Sequence, residues 1–256
     1  MTLRIARHVV RDIVRSRIVL TYTALLAIAA VGLFNLGGVG PKGIVSLLSV
    51  VLLIVPVAAL VFGTSHFYNS YEFIELLAAQ PIPRRTIFLG EFLGVSLALV
   101  AAYFCGIGIP VLLYDGSSAG LMLVGVGSLL TLVFVALAFL GAVLSRDKAR
   151  GIGVALMMWF YFTLVYDGIV VFLLYSFSEY PMEKAAIVMV SLNPIDLGRV
   201  LMLLQMDVSA LMGYTGAVLG EFLGTTWGVG YATALLVTWV LAPLGVATHA
   251  FKRKDL

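Results

Sequence analysis

The 256 residues are 62% hydrophobic and only 11% charged, with a mean hydropathy of +1.10. Soluble domains hold roughly 25% charged residues, so this composition excludes a water-soluble globule. The formal net charge of +3 is no argument for nucleic acid, because no basic surface interleaved with aromatics exists outside a few short anchoring clusters.

Residues 3–17 predict an amphipathic helix. Arg4, Arg7, Arg11 and Arg15 recur at steps of three and four, while Ile5, Val9, Val10, Ile13 and Val14 occupy the opposite arc. Such a helix lies flat at a membrane surface. Six apolar runs follow at 18–36, 44–65, 88–114, 121–144, 151–177 and 227–249. Each is long enough to cross a hydrocarbon core of about 30 Å, which takes about 20 helical residues. The expected fold class is therefore all-α: a polytopic membrane protein with six transmembrane helices, an interfacial N-terminal helix and one domain over 1–256. Ala27-Ile28-Ala29 imitates a signal cleavage site, but the first run exceeds a signal core of about 7 to 15 residues and is expected to stay as helix 1.

Thirteen of the sixteen Lys and Arg residues fall before the first run, after the second, after the fourth or after the last; Lys42, Lys184 and Arg199 remain for the other side. The excess of basic residues on the inner side places both termini in the cytoplasm. Short turns at Gly37-Gly38-Val39-Gly40-Pro41 and Asp115-Gly116-Ser117-Ser118 then join helices outside.

Two connections are longer, and function is expected there. In the cytoplasmic segment 66–87, Tyr71 to Gln80 has helical propensity and Pro81 ends it, because the residue before a proline is pushed out of the helical region. A short helix carrying Tyr71, Glu72 and Glu75, then an elbow and the pair Arg84 and Arg85, reads either as a docking knob for a cytoplasmic partner or as a solvated connector. In the extracytoplasmic segment 178–226, Asn193 suits a helix cap, Pro194 the first helical position and Asp196 the first turn, with Arg199 one turn on. This helix lies along the outer surface or reaches partway in, and it serves as a gate, as a docking face, or only as a cap that positions the loop.

Asp167 is the one carboxylate well inside a run. An aspartate at a helix centre costs about 2.5 to 3.5 kcal/mol, so it should face the bundle interior or a wet path, where it meets a substrate or accepts a hydroxyl hydrogen bond. No second carboxylate deep in the runs supports a proton relay. No metal site is expected: His8, His66 and His249 are scattered and Cys105 is the single cysteine, which also rules out an intrachain disulfide. Met182, Met189, Met202, Met206 and Met212 fall in the outer segment; thioethers suit Cu(I), but methionines also fill apolar gaps. No catalytic residues are expected, because Gly116-Ser117-Ser118-Ala119-Gly120 lacks the strand that a nucleophile elbow needs. No phosphate-binding Gly-x-x-x-x-Gly-Lys-Ser/Thr motif occurs. The pairs Gly90/Gly94 and Gly220/Gly224 allow close helix approach.

Six helices with both ends inside, an amphipathic N-terminal helix and a cytoplasmic helix between spans 2 and 3 resemble the ABC-2 type permease family. Within it, the resemblance is to permeases serving maturation of nitrous oxide reductase. It is carried by Ser145-Arg146-Asp147-Lys148-Ala149, by Gly153-Val154-Ala155-Leu156 and Trp159-Phe160 with Asp167 in the same helix, and by Leu192-Asn193-Pro194-Ile195-Asp196. Leu76-Leu77-Ala78-Ala79-Gln80-Pro81 through Arg84-Arg85 and Leu89-Gly90-Glu91-Phe92 add to it. Glu91 departs from the pattern, where a basic residue is commoner. The resemblance implies a homodimer in a bacterial or archaeal cytoplasmic membrane. It also implies two cytoplasmic ATPase subunits that bind ATP and Mg and grip the segment around Glu72 and Glu75, an accessory protein on the Asn193 side, and a cargo linked to copper or sulfur.

Overall fold

A computed structural model describes residues 2–38, 40–177, 180, 183–206 and 213–253, with the backbone alone described for 37, 183, 184, 205 and 213–226. Among the described residues every regular element is helical. In chain order these are α1 (Thr2–Val14), α2 (Arg17–Gly37), α3 (Pro41–Asn69), α4 (Tyr71–Ala78), α5 (Arg84–Tyr103), α6 (Ile109–Tyr114), α7 (Ser118–Leu144), α8 (Lys148–Phe160), α9 (Tyr166–Ser176), α10 (Glu183–Ser191), α11 (Pro194–Met206) and α12 (Gly213–Arg253). Single π-helical stretches at Phe104–Gly108 and Tyr161–Val165 join α5 to α6 and α8 to α9.

Six of the helical stretches are long and apolar enough to cross a membrane: Arg17–Leu36, Pro41–Asn69, Arg84–Tyr114, Ser118–Leu144, Lys148–Ser176 and Trp227–Arg253. They match the six expected runs, with the second, third and sixth extended by about a turn at the basic end. The second, third and fourth are buried over 50%, 61% and 67% of their most apolar windows, against 22%, 17% and 17% for the first, fifth and sixth. The inner three make the core, and the outer three present bare apolar faces that lipid or another chain must cover.

Residues bearing the expected inner charges gather at one end. There Arg84 donates to the Lys252 carbonyl, Lys148 to Asn69 Oδ1, and the Tyr68 hydroxyl to the carbonyls of Ala142 and Ser145. Phe67, Phe88, Phe139 and Phe251 close this end, with ring centroids 5.0 to 6.4 Å apart, which locks α3, α5, α7 and α12 together. Edge-on aromatic pairs of this kind add about 0.5 to 1.5 kcal/mol each beyond area burial. At the opposite end Phe34 stacks on Tyr114 at 5.4 Å, and Ser117 caps α7 by accepting the Gly120 N–H.

The arc of α1 bearing Ile5, Val9 and Ile13 is buried, but by protein. Glycines at 90 and 94 open a groove on α5, and a methyl group at either would lie 2.8 Å from Ile5 Cγ2 or 2.5 Å from Val9 Cβ. The glycine pair is thus spent on docking α1. Arg4, Arg7, Arg11 and Arg15 stay exposed, as do Leu3 and Val14. The amphipathic helix forms as expected, with the centre of its apolar arc covered by α5 and its edges at Leu3 and Val14 left for the membrane surface. Gly220 and Gly224 lie where the backbone alone is described.

Candidate functional site

The expected site residues fall into two groups, one at the basic end and one deep in the bundle. At the basic end, α4 begins directly after α3 and stops at Ala78, before the Pro81 and Pro83 elbow. Ile74 is its buried anchor, and Phe73 meets the His8 ring at 5.5 Å. That leaves Glu72, Glu75 and Leu76 exposed as one patch, with Arg85 exposed beyond the elbow and Tyr71 and Arg84 half-buried.

Behind this patch sits a pair that sequence reasoning missed. Glu91 on α5 is fully buried; its Oε2 lies 3.2 Å from His66 Nε2 on α3, and the Ser70 hydroxyl, at the start of α4, lies 3.2 Å from the same nitrogen. The contact is an ion pair when His66 is protonated and a hydrogen bond otherwise. Among the described residues Glu91 Oε1 has no hydrogen-bond partner. The departure at Glu91 therefore adds no surface charge. It ties both flanking spans to the residue that caps the short helix, and the signal for it was a carboxylate one turn inside the third apolar run and a histidine just past the end of the second.

The second group forms around a broken helix pair. α10 and α11 are bent by 111° at Leu192–Asn193. The elbow meets Phe162 of the fifth span and Trp239 of the sixth, both near the middle of their spans: Asn193 Nδ2 donates to the Phe162 carbonyl at 3.0 Å, and Trp239 Nε1 to the Ser191 carbonyl at 3.1 Å. Gly198 lies against Leu130 and Val126 of α7, where a methyl group would come within 3.1 and 3.2 Å. Of the two placements that the sequence allowed, this part of 178–226 takes the deeper one, reaching into the bundle instead of lying along its end. α12 starts at Gly213, so the sixth helix extends about 21 Å beyond Trp227 at 1.5 Å per residue.

Asn193 is fully buried and fully used. Its Nδ2 also donates to Asp196 Oδ2 at 3.0 Å, and its Oδ1 accepts the Ile195 N–H at 3.0 Å, while Pro194 fills the first helical position, where no N–H is needed. The carbonyl that Asn193 takes belongs to the π-helical Tyr161–Val165, a kind of stretch that is rare and frequently found at functional sites. One turn on, Arg199 spans two carboxylates: Nη1 to Asp196 Oδ1 at 2.9 Å and Nη2 to Asp167 Oδ2 at 3.3 Å. Asp167 thus meets a guanidinium, not the hydroxyl that its sequence setting suggested. The Asp196 side chain is 12% exposed, but those of Asp167 and Arg199 are 33% and 42% exposed, so the cluster opens to the outside of the chain. Tyr166 donates to the Met189 carbonyl at 2.6 Å, and Ser191 Oγ lies 2.9 Å from the Tyr231 hydroxyl. Buried Tyr and Trp heads need such partners, and Tyr166, Tyr231 and Trp239 were the legible but unread signals of this network.

Met202 is fully buried and Met206 packs on the core; Met182 and Met212 lie outside the described residues. Among the described residues no three His, Cys, Asp or Glu side chains gather as a metal site.

Residues 3–256 match the family described as ABC-2 family transporter protein. The chain is 30% identical to a protein of Stutzerimonas stutzeri named "Probable ABC transporter permease protein NosY", over 98% of this chain and 97% of that one. It is 28% identical to a protein of the same name from Pseudomonas aeruginosa, over 98% of each. The six spans, the short exposed helix between the second and third, and a match running the length of the chain lead to one conclusion: this multi-pass membrane protein belongs to the ABC-2 transporter permease family.

Proposed function

We propose that the chain is the membrane subunit of a NosY-like ATP-driven transporter, working as a homodimer with two cytoplasmic ATPase subunits that bind ATP and Mg, and with both termini in the cytoplasm. The observation that carries the proposal is the exposed patch Glu72, Glu75 and Leu76 on α4, backed by the buried link from Ser70 through His66 to Glu91. A push on α4 reaches the second and third spans together, which is what a handle for an external motor requires. The half-exposed charges of Asp167 and Arg199 support the dimer. Charge facing hydrocarbon is costly, so a second copy or a wet path between copies must cover them. The cargo, by likeness to the NosY permeases, is a copper or sulfur species used in maturing the copper centres of nitrous oxide reductase.

A second reading is favoured by the length of α12. Its projection beyond Trp227 makes a lever through which ATPase motion reaches an extracytoplasmic accessory protein without passage of cargo.

The test is Glu72→Arg with Glu75→Arg, both at exposed positions. Co-purification of the ATPase should fall at least tenfold with folding intact; undiminished assembly and ATP turnover refute the docking role. ATP-dependent uptake of cargo into sealed vesicles then separates the permease from the lever.

A further inference from the structure

A wide groove lies between α7 and α8, meeting the second group of site residues only at Phe162. It has a volume of about 900 Å³ and is walled by Leu137, Val154, Met157 and Phe162, with Arg146 and Arg150 at its basic end. Gly153 widens it, since a methyl group there would meet nothing within 4 Å. From Arg150 to Phe162 the wall runs about 18 Å at 1.5 Å per residue. One leaflet of a hydrocarbon core of about 30 Å is about 15 Å deep, so the groove has the reach of a single acyl chain, apolar along its length and cationic where a phosphate would sit.

We propose that this groove is a binding site for an anionic phospholipid of the leaflet on the basic side. Its phosphate is held by Arg146 and Arg150, and one tail lies along Gly153 and Met157 to Phe162. Asp147 pairs with Arg150 at 3.3 Å, but both side chains are more than half exposed. An exposed pair of that kind is worth at most about 1 kcal/mol, so the guanidinium stays available to a phosphate. A second copy of the chain is the other candidate occupant. A two-fold interface sets the same patch against itself, and an axis through this groove would bring four arginines together. Charge therefore favours lipid over a second copy.

The full-length chain, extracted from its membrane in mild detergent, is titrated with dioleoylphosphatidylglycerol or dioleoylphosphatidylcholine, and bound lipid is counted by native mass spectrometry. The proposal expects the anionic lipid to be retained and the zwitterionic one to be lost. It expects Arg146→Gln with Arg150→Gln to weaken retention about 30-fold, at about fivefold per basic residue. Gly153→Phe, which fills the groove and keeps both charges, should do the same, while Arg7→Gln at the same end leaves retention unchanged. Equal retention of the two lipids, which needs no variant, overturns it. So does full retention by Gly153→Phe. Displacement by inorganic phosphate as effective as by the lipid reduces the site to an anion contact and also overturns it. Efficient cross-linking of Gly153→Cys to a second chain in native membranes, in a Cys105→Ala background, assigns the groove to the dimer and overturns it too.

Discussion

Replacing Asn193 by alanine removes three hydrogen bonds at once: those to the Phe162 carbonyl and Asp196 Oδ2, and the one from the Ile195 N–H, all at 3.0 Å and all buried. Two scales bound the cost. Polar contacts between helices in membranes average about 0.6 kcal/mol each, which sums to about 2 kcal/mol. Buried groups left unsatisfied cost about 1 to 3 kcal/mol each, which gives at least about 3 kcal/mol. The second scale governs here, because Asn193 is fully enclosed and water cannot replace it, yet its lower end applies, because Asp196 keeps Arg199 as a partner. A loss of about 3 kcal/mol raises local opening of the elbow about 150-fold, at 1.4 kcal/mol per factor of ten. Hydrogen exchange of peptides covering 192–200 reads this directly, and the melting temperature in detergent should fall by about 6 to 12 °C at 2 to 4 °C per kcal/mol. Leu192→Ala, at an exposed neighbour, serves as the control. Unchanged exchange in Asn193→Ala, with a melting point at the control's value, would refute the view that this amide pins the hairpin to the fifth span.

Three further outcomes are expected. Gly94→Ala should cost about 1 to 3 kcal/mol by overpacking and expose α1 to limited proteolysis, since the new methyl group lies 2.5 Å from Val9; Gly32→Ala, with open space around it, should melt like the parent. Arg199→Leu should destabilise by about 3 kcal/mol by leaving the nearly enclosed Asp196 unpaired, whereas Asp167→Asn, one-third exposed, should cost under about 1 kcal/mol. If the cluster is held by charge pairing, adding Asp196→Asn to Arg199→Leu recovers much of the loss in a denaturation series. Tyr103→Phe should cost about 1 kcal/mol for the bond to the Leu123 carbonyl, and Gly127→Ala should cost more, because its methyl group would lie 2.2 Å from the Tyr103 ring.

What composition and periodicity could reveal was the set of elements: apolar runs of sufficient length, the Arg-lined α1, and the stop before Pro81. These are local properties, and the helices formed where the runs lay. Pairing between elements was not legible, because it depends on which face of a helix meets which neighbour. The Gly90 and Gly94 pair showed that something approaches α5 closely, but nothing in its spacing named α1 over another span. Asn193, Pro194 and Asp196 were readable as a helix start because a cap is a short-range motif; their depth was not, since the same cap works at a surface or in a core.

Asp167 shows why that depth matters. Deep in a run it demands a partner, and the one Arg apart from the basic-end clusters is Arg199, two segments later in the chain. A surface helix would have left Arg199 in water and Asp167 to find a hydroxyl. Only a hairpin that carries Arg199 into the bundle brings the two within 3.3 Å, and the Phe162 carbonyl in the π-helical Tyr161–Val165 gives Asn193 a place to hold that hairpin. The intramembrane charge, the π-helical stretch and the broken helix are one solution to one constraint. A lone carboxylate in a predicted span, followed by a capped Asn-Pro-x-Asp-x-x-Arg segment, is thus better read as evidence for a helix that enters the membrane than for a loop outside it.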